Sequence, residues 1–207
     1  MAHLVAVIDY GSGNVQSVVN AFKAIDCPVI ASKDWQELQG ASHLVLPGVG
    51  AFAHCMEQLR SLDLIDSLNR EVLEKGKPFL GICVGHQLMA NLGKEFGNHE
   101  GMGWFAGEVE RIDNRTSGLR LPHVGWNNVE VAITGPLYRK MSVEPCFYFV
   151  HSYHFVPEDA GVVSGRCEYN VKLTASIQKD NIFGVQFHPE KSQSEGLQLL
   201  HNFAEVE

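Results

Sequence analysis

Residues 78–85 read Pro78-Phe79-Leu80-Gly81-Ile82-Cys83-Val84-Gly85, an apolar run that ends in a cysteine flanked by glycines. Short apolar runs closed by glycines are typical of strands buried on both faces of a sheet. The glycines on either side of Cys83 allow a tight turn that a Cβ atom would obstruct. The stretch therefore predicts a buried strand, a sharp turn at Cys83 and a helix after it.

Apolar runs of the same kind precede this strand along the chain. They are Leu4-Val5-Ala6-Val7-Ile8, Pro28-Val29-Ile30-Ala31 and His43-Leu44-Val45-Leu46. Between and after them, apolar residues recur at helical spacing. The predicted helices contain Val15, Val18, Val19, Phe22 and Ile25, then Met56, Leu59, Leu62 and Ile65 with a continuation through Leu68 to Leu73, and then Gln87-Leu88-Met89-Ala90 as the start of a third. This alternation predicts an α/β fold, with a mostly parallel, flavodoxin-like sheet flanked by helices on both faces.

The second half of the chain has a different character. Segments 107–112, 127–133 and 146–151 are short, β-like and bounded by Gly, Pro or Asn, which predicts an antiparallel extension of the sheet. A closing helix is expected around Leu197 and Phe203, with Leu200 between them. With no internal repeat and no Pro- or Ser-rich linker, we expect one domain over residues 1–207.

Composition excludes several classes of function. The formal net charge is −8 and the basic residues form no cluster, which argues against nucleic acid as a partner. No apolar run approaches the ~18 residues that a membrane span needs. The start lacks a basic segment before its apolar run, so we expect a cytoplasmic protein without a signal peptide. Five widely spaced cysteines with no CxxC pair indicate free thiols and disfavour a structural zinc site.

Cys83 has the spacing of a nucleophile. The pattern Gly-x-Cys-x-Gly between strand and helix is that of a nucleophile elbow with cysteine in place of serine. Such a turn lifts the sulfur to the carboxyl edge of the sheet, where open α/β sheets bind ligands. The N-terminus of the following helix would favour the thiolate. The alternative interpretation is a buried core cysteine between two packing glycines.

A second motif, GVQFHPE at residues 184–190, ends in His188 and Glu190. A thiol nucleophile needs a nearby base, and the base needs an acceptor that orients it. Proline between the two residues keeps their spacing stiff. Because the chain has ten histidines, His188 alone is more simply a surface or core histidine.

A third motif follows the strand that ends at Leu46. The turn Gly48-Val49-Gly50 offers backbone N–H groups that suit an oxyanion or a phosphate, or it merely ends the strand. Together the three motifs supply a nucleophile, a base, an orienting acid and oxyanion donors. These are the parts of an acyl-transfer site.

These motifs resemble the signatures of class I, triad-type glutamine amidotransferases. The resemblance rests on GICVGHQ around Cys83 and GVQFHPE around His188. Further segments are similar to the glutaminase subunits of imidazole glycerol phosphate synthases within that family. These segments are IDYGSGN near the start, LPGVGAF at 46–52, PHVGWN at 122–127, YFVHSYHF at 148–155 and GVQFHPEKS at 184–192. The matches extend over nearly the whole chain.

The resemblance implies a role for each matching residue. Cys83 would be the nucleophile, His188 the general base and acid, and Glu190 the group that orients the imidazole. The implied oxyanion donors are the amides of Val84 and of the Val49-Gly50 segment. The implied glutamine-binding residues are Gly48, Gln87, Glu95, His151, Ser152 and Tyr153. The carboxylate of Glu95 would suit the substrate's ammonium group. No metal or cofactor is implied.

The resemblance also implies a partner. Ammonia released into water at pH 7 becomes unreactive ammonium, and this chain has no second domain to receive it. We therefore expect a heterodimer with a separate (β/α)8-barrel cyclase that makes imidazole glycerol phosphate and aminoimidazole carboxamide ribotide in histidine biosynthesis. Asn14, Trp126 and Lys191 match family positions near that interface. For Lys191, a plain solvated charge is the alternative.

The match departs from the family at two positions next to the nucleophile. Val84 stands where leucine is common, and His86 stands where an apolar residue, most often methionine, is usual. His86 is either a neutral packing change or the mark of a paralogue that supplies ammonia for an amidine on a surface-polysaccharide sugar. A γ-glutamyl hydrolase or peptidase, and a non-catalytic regulatory module, are the remaining alternatives. The HPEKS run disfavours the hydrolase, and the intact Cys83, His188 and Glu190 disfavour the module.

Overall fold

Strands and helices alternate in the first half of the chain, and strands predominate in the second. The computed structural model describes residues 3–115 and 120–207, so residues 1–2 and 116–119 of the predicted domain lie outside the described residues. The strands are β1 (Val5–Ile8), β2 (Val29–Ser32), β3 (His43–Gly48), β4 (Phe79–Cys83), β5 (Ala90–Gly93), β6 (His99–Glu100), β7 (Phe105–Arg111), β8 (His123–Asn128), β9 (Glu130–Val131), β10 (Cys146–His151), β11 (Tyr153–Pro157), β12 (Val163–Tyr169), β13 (Val171–Lys179) and β14 (Ile182–Val185). The helices are α1 (Val15–Ala24), α2 (Trp35–Leu38), α3 (Phe52–Ser61), α4 (Leu64–Leu68), α5 (Val84–Gln87) and α6 (Gln193–Ala204).

The central sheet has eight strands in the order β2-β1-β3-β4-β14-β13-β12-β9. Its first five strands run parallel, and the others are added in antiparallel fashion. The predicted mostly parallel sheet with an antiparallel extension is therefore confirmed. Because β4 lies between β3 and β14, the chain segments that leave these three strands meet at one edge of the sheet.

Two smaller sheets accompany the central one. One pairs β10 with β8, and the other has the order β11-β7-β5-β6. Segments 107–112 and 146–151 were expected in the extension of the main sheet but lie in these smaller sheets. Only segment 127–133 contributes to the extension, through β9. The sequence pattern identifies a strand but not its partner, which distant parts of the chain determine.

The predicted long helix from Met56 to Leu73 is wrong in its continuity. The structure divides it into α3, α4 and a π-helical segment, Asn69–Glu74. The break is at Asp63, whose φ of 52° lies in the left-handed region. Aspartate tolerates that region better than most residues, and the apolar spacing continues across the break.

The helix predicted to start at Gln87-Leu88-Met89-Ala90 is also wrong. The structure places a single helical turn, α5, directly after Cys83, and Ala90 already begins β5. Ala90 pairs with Phe105 of β7, so a long-range strand pairing ends the helix after one turn.

The core lies between the central sheet and its helices. α1 and α6 pack together, and α3 packs against α4 and α5. The predicted closing helix is confirmed as α6, which buries Leu200 and Phe203. The largest fully buried side chains are mostly aromatic: Tyr10, Phe22, Phe52, Phe79, Phe147, Phe149, Phe155, Phe183, Phe187 and Phe203. Within the described residues, no helix has both the length and the apolar character to cross a bilayer.

Candidate active site

Cys83 lies at the end of β4 in a strained backbone conformation, with φ 55° and ψ −110°. Three glycines make this turn possible. A Cβ on Gly85 would overlap the Leu46 carbonyl oxygen, and one on Gly81 would lie 2.6 Å from the Gly85 oxygen. A Cβ on Gly48, which pairs with Cys83 in register, would lie 2.5 Å from the Gly85 nitrogen. The close approach of β3, β4 and α5 thus depends on glycine at all three positions.

His188 and Glu190 form a buried pair beside this turn. Nδ1 of His188 lies 2.8 Å from Oε1 of Glu190, and their side chains are 2% and 1% exposed. The carboxylate can only accept, so Nδ1 carries a proton. The His188 backbone is fixed as well, because its N–H donates to the Tyr148 carbonyl at 2.9 Å and its carbonyl accepts from the Ser192 hydroxyl. Nε2 of His188 has no hydrogen-bond partner.

Cys83 and His188 are electrostatically paired. Burial opposes the charged form of the His188 imidazole, but the adjacent Cys83 and Glu190 together raise its pKa to about 10. The arrangement therefore favours the imidazolium form of His188 at neutral pH. Because Nδ1 is held by Glu190, Nε2 is the ring nitrogen left for the sulfur and the substrate.

A cavity of about 350 Å³ opens above this pair and is large enough for an amino acid. It brings together most of the residues predicted for the site: Val49, Gly50, Cys83, Val84, Gln87, Glu95, His151, Ser152, Tyr153 and His188. Gly48 lies beneath Cys83 in the neighbouring strand, and Glu190 lies against His188. A cavity of about 750 Å³ beside α6 contains none of these residues.

The backbone around the cavity supplies candidate donors. Val84 is the first residue of α5, and Gly50 has a φ of +107°. The Val49 carbonyl accepts from the Cys55 thiol at 3.7 Å, so the Gly50 N–H, which is trans to it, points the opposite way. α5 has a single turn, so the predicted helix dipole behind Cys83 is that of one turn only.

Glu95 has a structural contact that the sequence did not indicate. Its Oε2 accepts from the backbone N–H of Phe52 at 2.9 Å, at the first residue of α3. Glu95 lies in the loop after β5 and is half-buried at the cavity. The carboxylate therefore caps a helix as well as facing the cavity.

Sequence reasoning missed Gln186, which is fully buried. Its Nε2 donates to the Cys83 sulfur at 3.7 Å, and its Oε1 accepts from Nε2 of Gln87 at 2.9 Å. Gln87 also donates to the Tyr153 carbonyl at 2.9 Å. One signal was available, since Gln186 is a polar residue between two buried apolar ones, Val185 and Phe187.

His123 was missed as a partner of His151. Nδ1 of His151 donates to the Tyr153 carbonyl at 2.8 Å, so its Nε2 accepts from Nδ1 of His123 at 2.9 Å. Burial lowers the pKa of His151 to about 3 and that of His123 to about 4. Both rings are therefore neutral at pH 7, in tautomers that this chain of bonds determines.

The three residues predicted near the interface lie outside the cavity. Trp126 is 49% exposed and packs edge-on against Tyr148, with ring centroids 6.0 Å apart. Lys191 is exposed and places its Nζ 6.0 Å from the centre of the same ring. Asn14 is half-buried at the N-terminus of α1. Trp126 and Lys191 thus share one surface, which we call the Tyr148 face.

His86 does not line the cavity. It is fully buried, packs edge-on against Phe155, and occupies space that a Cβ on Gly184 would fill. Neither ring nitrogen has a hydrogen-bond partner, and burial lowers its pKa to about 3. This placement supports the interpretation of His86 as a packing change.

All five cysteines are free. Among the described residues, no group of three or more His, Cys, Asp or Glu is arranged to hold a metal ion.

Comparison with known proteins gives close relatives over the whole length. The family model for class-I glutamine amidotransferases matches residues 6–206. The HisH subunit of imidazole glycerol phosphate synthase from Zymomonas mobilis is 46% identical over 204 residues, which cover 96% of this chain and 94% of that protein. HisH from Pelagibacter ubique is 39% identical over 203 residues, covering 96% and 98%. HisH 1 from Campylobacter jejuni (strain 81-176) is 44% identical, covering 98% of this chain and all of that protein.

Solved structures have the same fold. A glutamine amidotransferase crystal structure superposes with a TM-score of 0.74 at 21% identity, covering 98% of this chain and 99% of the other. A glutamine amidotransferase from Thermotoga maritima gives a TM-score of 0.70 at 20% identity and covers both chains completely.

Proposed function

Because the chain belongs to the class-I glutamine amidotransferase family, we propose that it is the glutaminase subunit of an imidazole glycerol phosphate synthase. It hydrolyses L-glutamine to glutamate and ammonia, and a cyclase partner consumes the ammonia in histidine biosynthesis. The observation that carries the proposal is the buried His188–Glu190 pair next to Cys83, at the base of a cavity that would hold one amino acid. In this function, residues 1–207 act as one domain of a cytoplasmic protein.

The first half-reaction forms a thioester. The Cys83 thiolate attacks the side-chain carbonyl carbon of glutamine, a C–S bond forms, and the carbonyl electrons move to oxygen. The N–H groups of Val84 and of the Val49-Gly50 segment stabilise this oxyanion, a contribution of roughly 3–4 kcal/mol per donor in comparable sites. Nε2 of His188 then gives its proton to the departing nitrogen, the C–N bond breaks, and ammonia leaves.

The second half-reaction hydrolyses the thioester. His188, now neutral, accepts a proton from water at Nε2 while the water oxygen adds to the acyl carbon. The C–S bond then breaks, its electron pair returns to sulfur, and glutamate leaves. The thiolate and imidazolium are thereby restored. Glu190 keeps Nδ1 protonated throughout, so Nε2 always faces the reacting atoms.

The remaining residues of the cavity hold the substrate. We assign the negative Glu95 to the ammonium group of glutamine, because it is the carboxylate at the cavity that has no cationic partner among its described contacts. Gln87, Gly48 and the backbone of His151, Ser152 and Tyr153 hold the rest of the amino acid. No metal or cofactor takes part in this scheme.

The ammonia must reach its acceptor without meeting bulk water. We propose that the Tyr148 face, with Trp126 and Lys191, and the N-terminus of α1 at Asn14 contact a separate (β/α)8-barrel cyclase in a heterodimer. An exposed tryptophan is an aromatic residue of the kind that protein interfaces favour, and Lys191 would lie at the polar rim of such a contact. His86, buried away from the cavity, supplies no reason to prefer a different acceptor.

The test uses the complete complex with its cyclase partner and compares two nitrogen sources. Cys83→Ala is expected to abolish synthesis from glutamine and to retain synthesis from added ammonia, since ammonia bypasses the thioester. Cys146→Ala, which changes a cysteine in β10 outside the cavity, is expected to retain both. Loss of both activities in Cys83→Ala would show that the two sites are not separate.

A further inference from the structure

We infer that the side-chain amide of Gln186 is a hydrogen-bond donor to the reacting sulfur, and that Gln87 and the Tyr153 carbonyl fix its orientation. This inference rests on the proposed function in that Cys83 is the nucleophile. Gln186 is not among the site residues that were predicted from the sequence.

The position of Gln186 is rigid. The residue directly follows β14, and its backbone N–H donates to the Ala175 carbonyl of β13 at 2.8 Å. Its side chain is fully buried, with no solvent to satisfy the amide. A buried amide needs partners for both its oxygen and its nitrogen. Gln186 finds them in Gln87 and in the Cys83 sulfur.

The orientation of the amide follows from a backbone carbonyl. The Tyr153 oxygen can only accept, so the Gln87 atom 2.9 Å from it is the nitrogen. The same nitrogen lies 2.9 Å from Gln186, which must therefore present its oxygen to Gln87. The Gln186 nitrogen is left facing the sulfur. A flipped Gln186 would set two N–H donors against each other and its oxygen against the thiolate.

A donor at the sulfur acts at two points of the reaction. In the resting enzyme it stabilises the thiolate that attacks glutamine. In thioester hydrolysis it stabilises the same charge as the electron pair of the C–S bond returns to sulfur. In the intervening thioester the sulfur is neutral, so the hydrogen bond from the Gln186 amide to it is weaker. The donor therefore stabilises the thiolate more than the thioester. α5 is a single turn with a correspondingly small dipole, so a specific donor adds stabilisation that the helix does not supply.

The experiment measures alkylation of Cys83 by iodoacetamide against pH, without glutamine, in the full chain. Gln186→Met keeps the side-chain length and removes the donor. The acid limb of its profile is expected to move up by about 0.5–1 pH unit, as the loss of one weak hydrogen bond to a charged sulfur requires. Gln186→Leu likewise removes the donor without adding a charge; its limb is expected to move by a similar amount, and it decides the matter if Gln186→Met does not fold.

The control is Gln178→Met, a half-buried glutamine on β13 that makes no contact with the cavity, and its profile should match the wild type. The other ionisable groups that act on Cys83 are His188, Tyr10 and Cys55, and all remain in every variant. A profile of folded Gln186→Met that coincides with the wild type would overturn the inference. A shifted profile in a protein that does not hydrolyse glutamine would support the inference while refuting the proposed function.

Discussion

At the scale of single residues, the turn at Cys83 requires glycines, which have no Cβ atom, at positions 48, 81 and 85. Gly85→Ala would force a Cβ into the Leu46 carbonyl oxygen, and we expect it to destabilise the fold by about 2–4 kcal/mol and to remove activity. Gly40→Ala is the control, because its Cβ would meet nothing within 4 Å, and its stability should change by less than about 0.5 kcal/mol. Urea denaturation with a glutaminase assay checks both. Equal stability of the two variants would contradict this explanation of the turn.

His86 gives a residue-scale prediction that depends on pH. Its pKa is about 3 in the folded protein and about 6.5 in the unfolded chain, so protons bind the unfolded state first as pH falls. From pH 8 to pH 5, His86 therefore removes about 2 kcal/mol from the free energy of unfolding. Between pH 8 and pH 5, the free energy of unfolding of His86→Leu is expected to fall by less than that of the wild type. Denaturation curves at both pH values test this, and parallel losses would refute it.

At the scale of elements, α3 and the loop after β5 share the carboxylate of Glu95. Glu95→Gln keeps an oxygen for the Phe52 N–H but removes the charge, so KM for glutamine should rise roughly tenfold or more while stability stays near the wild type. Glu95→Ala should also lose about 1 kcal/mol of stability with the helix cap. Steady-state kinetics and denaturation separate the two effects. A wild-type KM in Glu95→Gln would contradict the assignment of Glu95 to the ammonium group.

Elements also show where the sequence is informative. Four of the five parallel strands, β1 to β4, were predictable because each contains an apolar run, and α1 and α6 were predictable because their apolar spacing is helical. The division at Asp63 was not, since the apolar spacing continues across it. The short α5 was not, because it is ended by the pairing of β5 with β7, a contact that the helical spacing itself does not reveal.

In the candidate site too, the residues in local motifs were predictable and those that depend on tertiary contacts were not. Cys83, His188 and Glu190 lie in short sequence motifs whose chemistry can be recognised without a structure. The roles of Gln186 and His123 depend on hydrogen bonds that only the folded chain forms. Gln186 bonds to Gln87, and His123 bonds to His151. The sequence around Gln186 or His123 does not indicate which distant residue it contacts, so the role of either residue could not be predicted.

At the scale of the whole molecule, the proposed contact of the cyclase with the Tyr148 face can be tested by binding. Trp126→Ala and Lys191→Ala are each expected to weaken binding of the cyclase about tenfold or more, with the tryptophan change the larger. Leu73→Ala is the control, because Leu73 is 51% exposed but lies in the π-helical segment before β4. Titration of the partner by calorimetry gives the affinities. Unchanged affinity in both interface variants would place the partner elsewhere.

The central claim is that one sulfur, on Cys83, attacks glutamine with His188 beside it. Its most direct test is covalent labelling by diazo-oxo-norleucine, a glutamine analogue that alkylates the attacking group, followed by mass spectrometry of the intact protein and its peptides. We predict a single adduct on the peptide that contains Cys83, none in Cys83→Ala, and slower labelling in His188→Ala. An adduct on any other residue, or undiminished labelling in Cys83→Ala, would contradict the account.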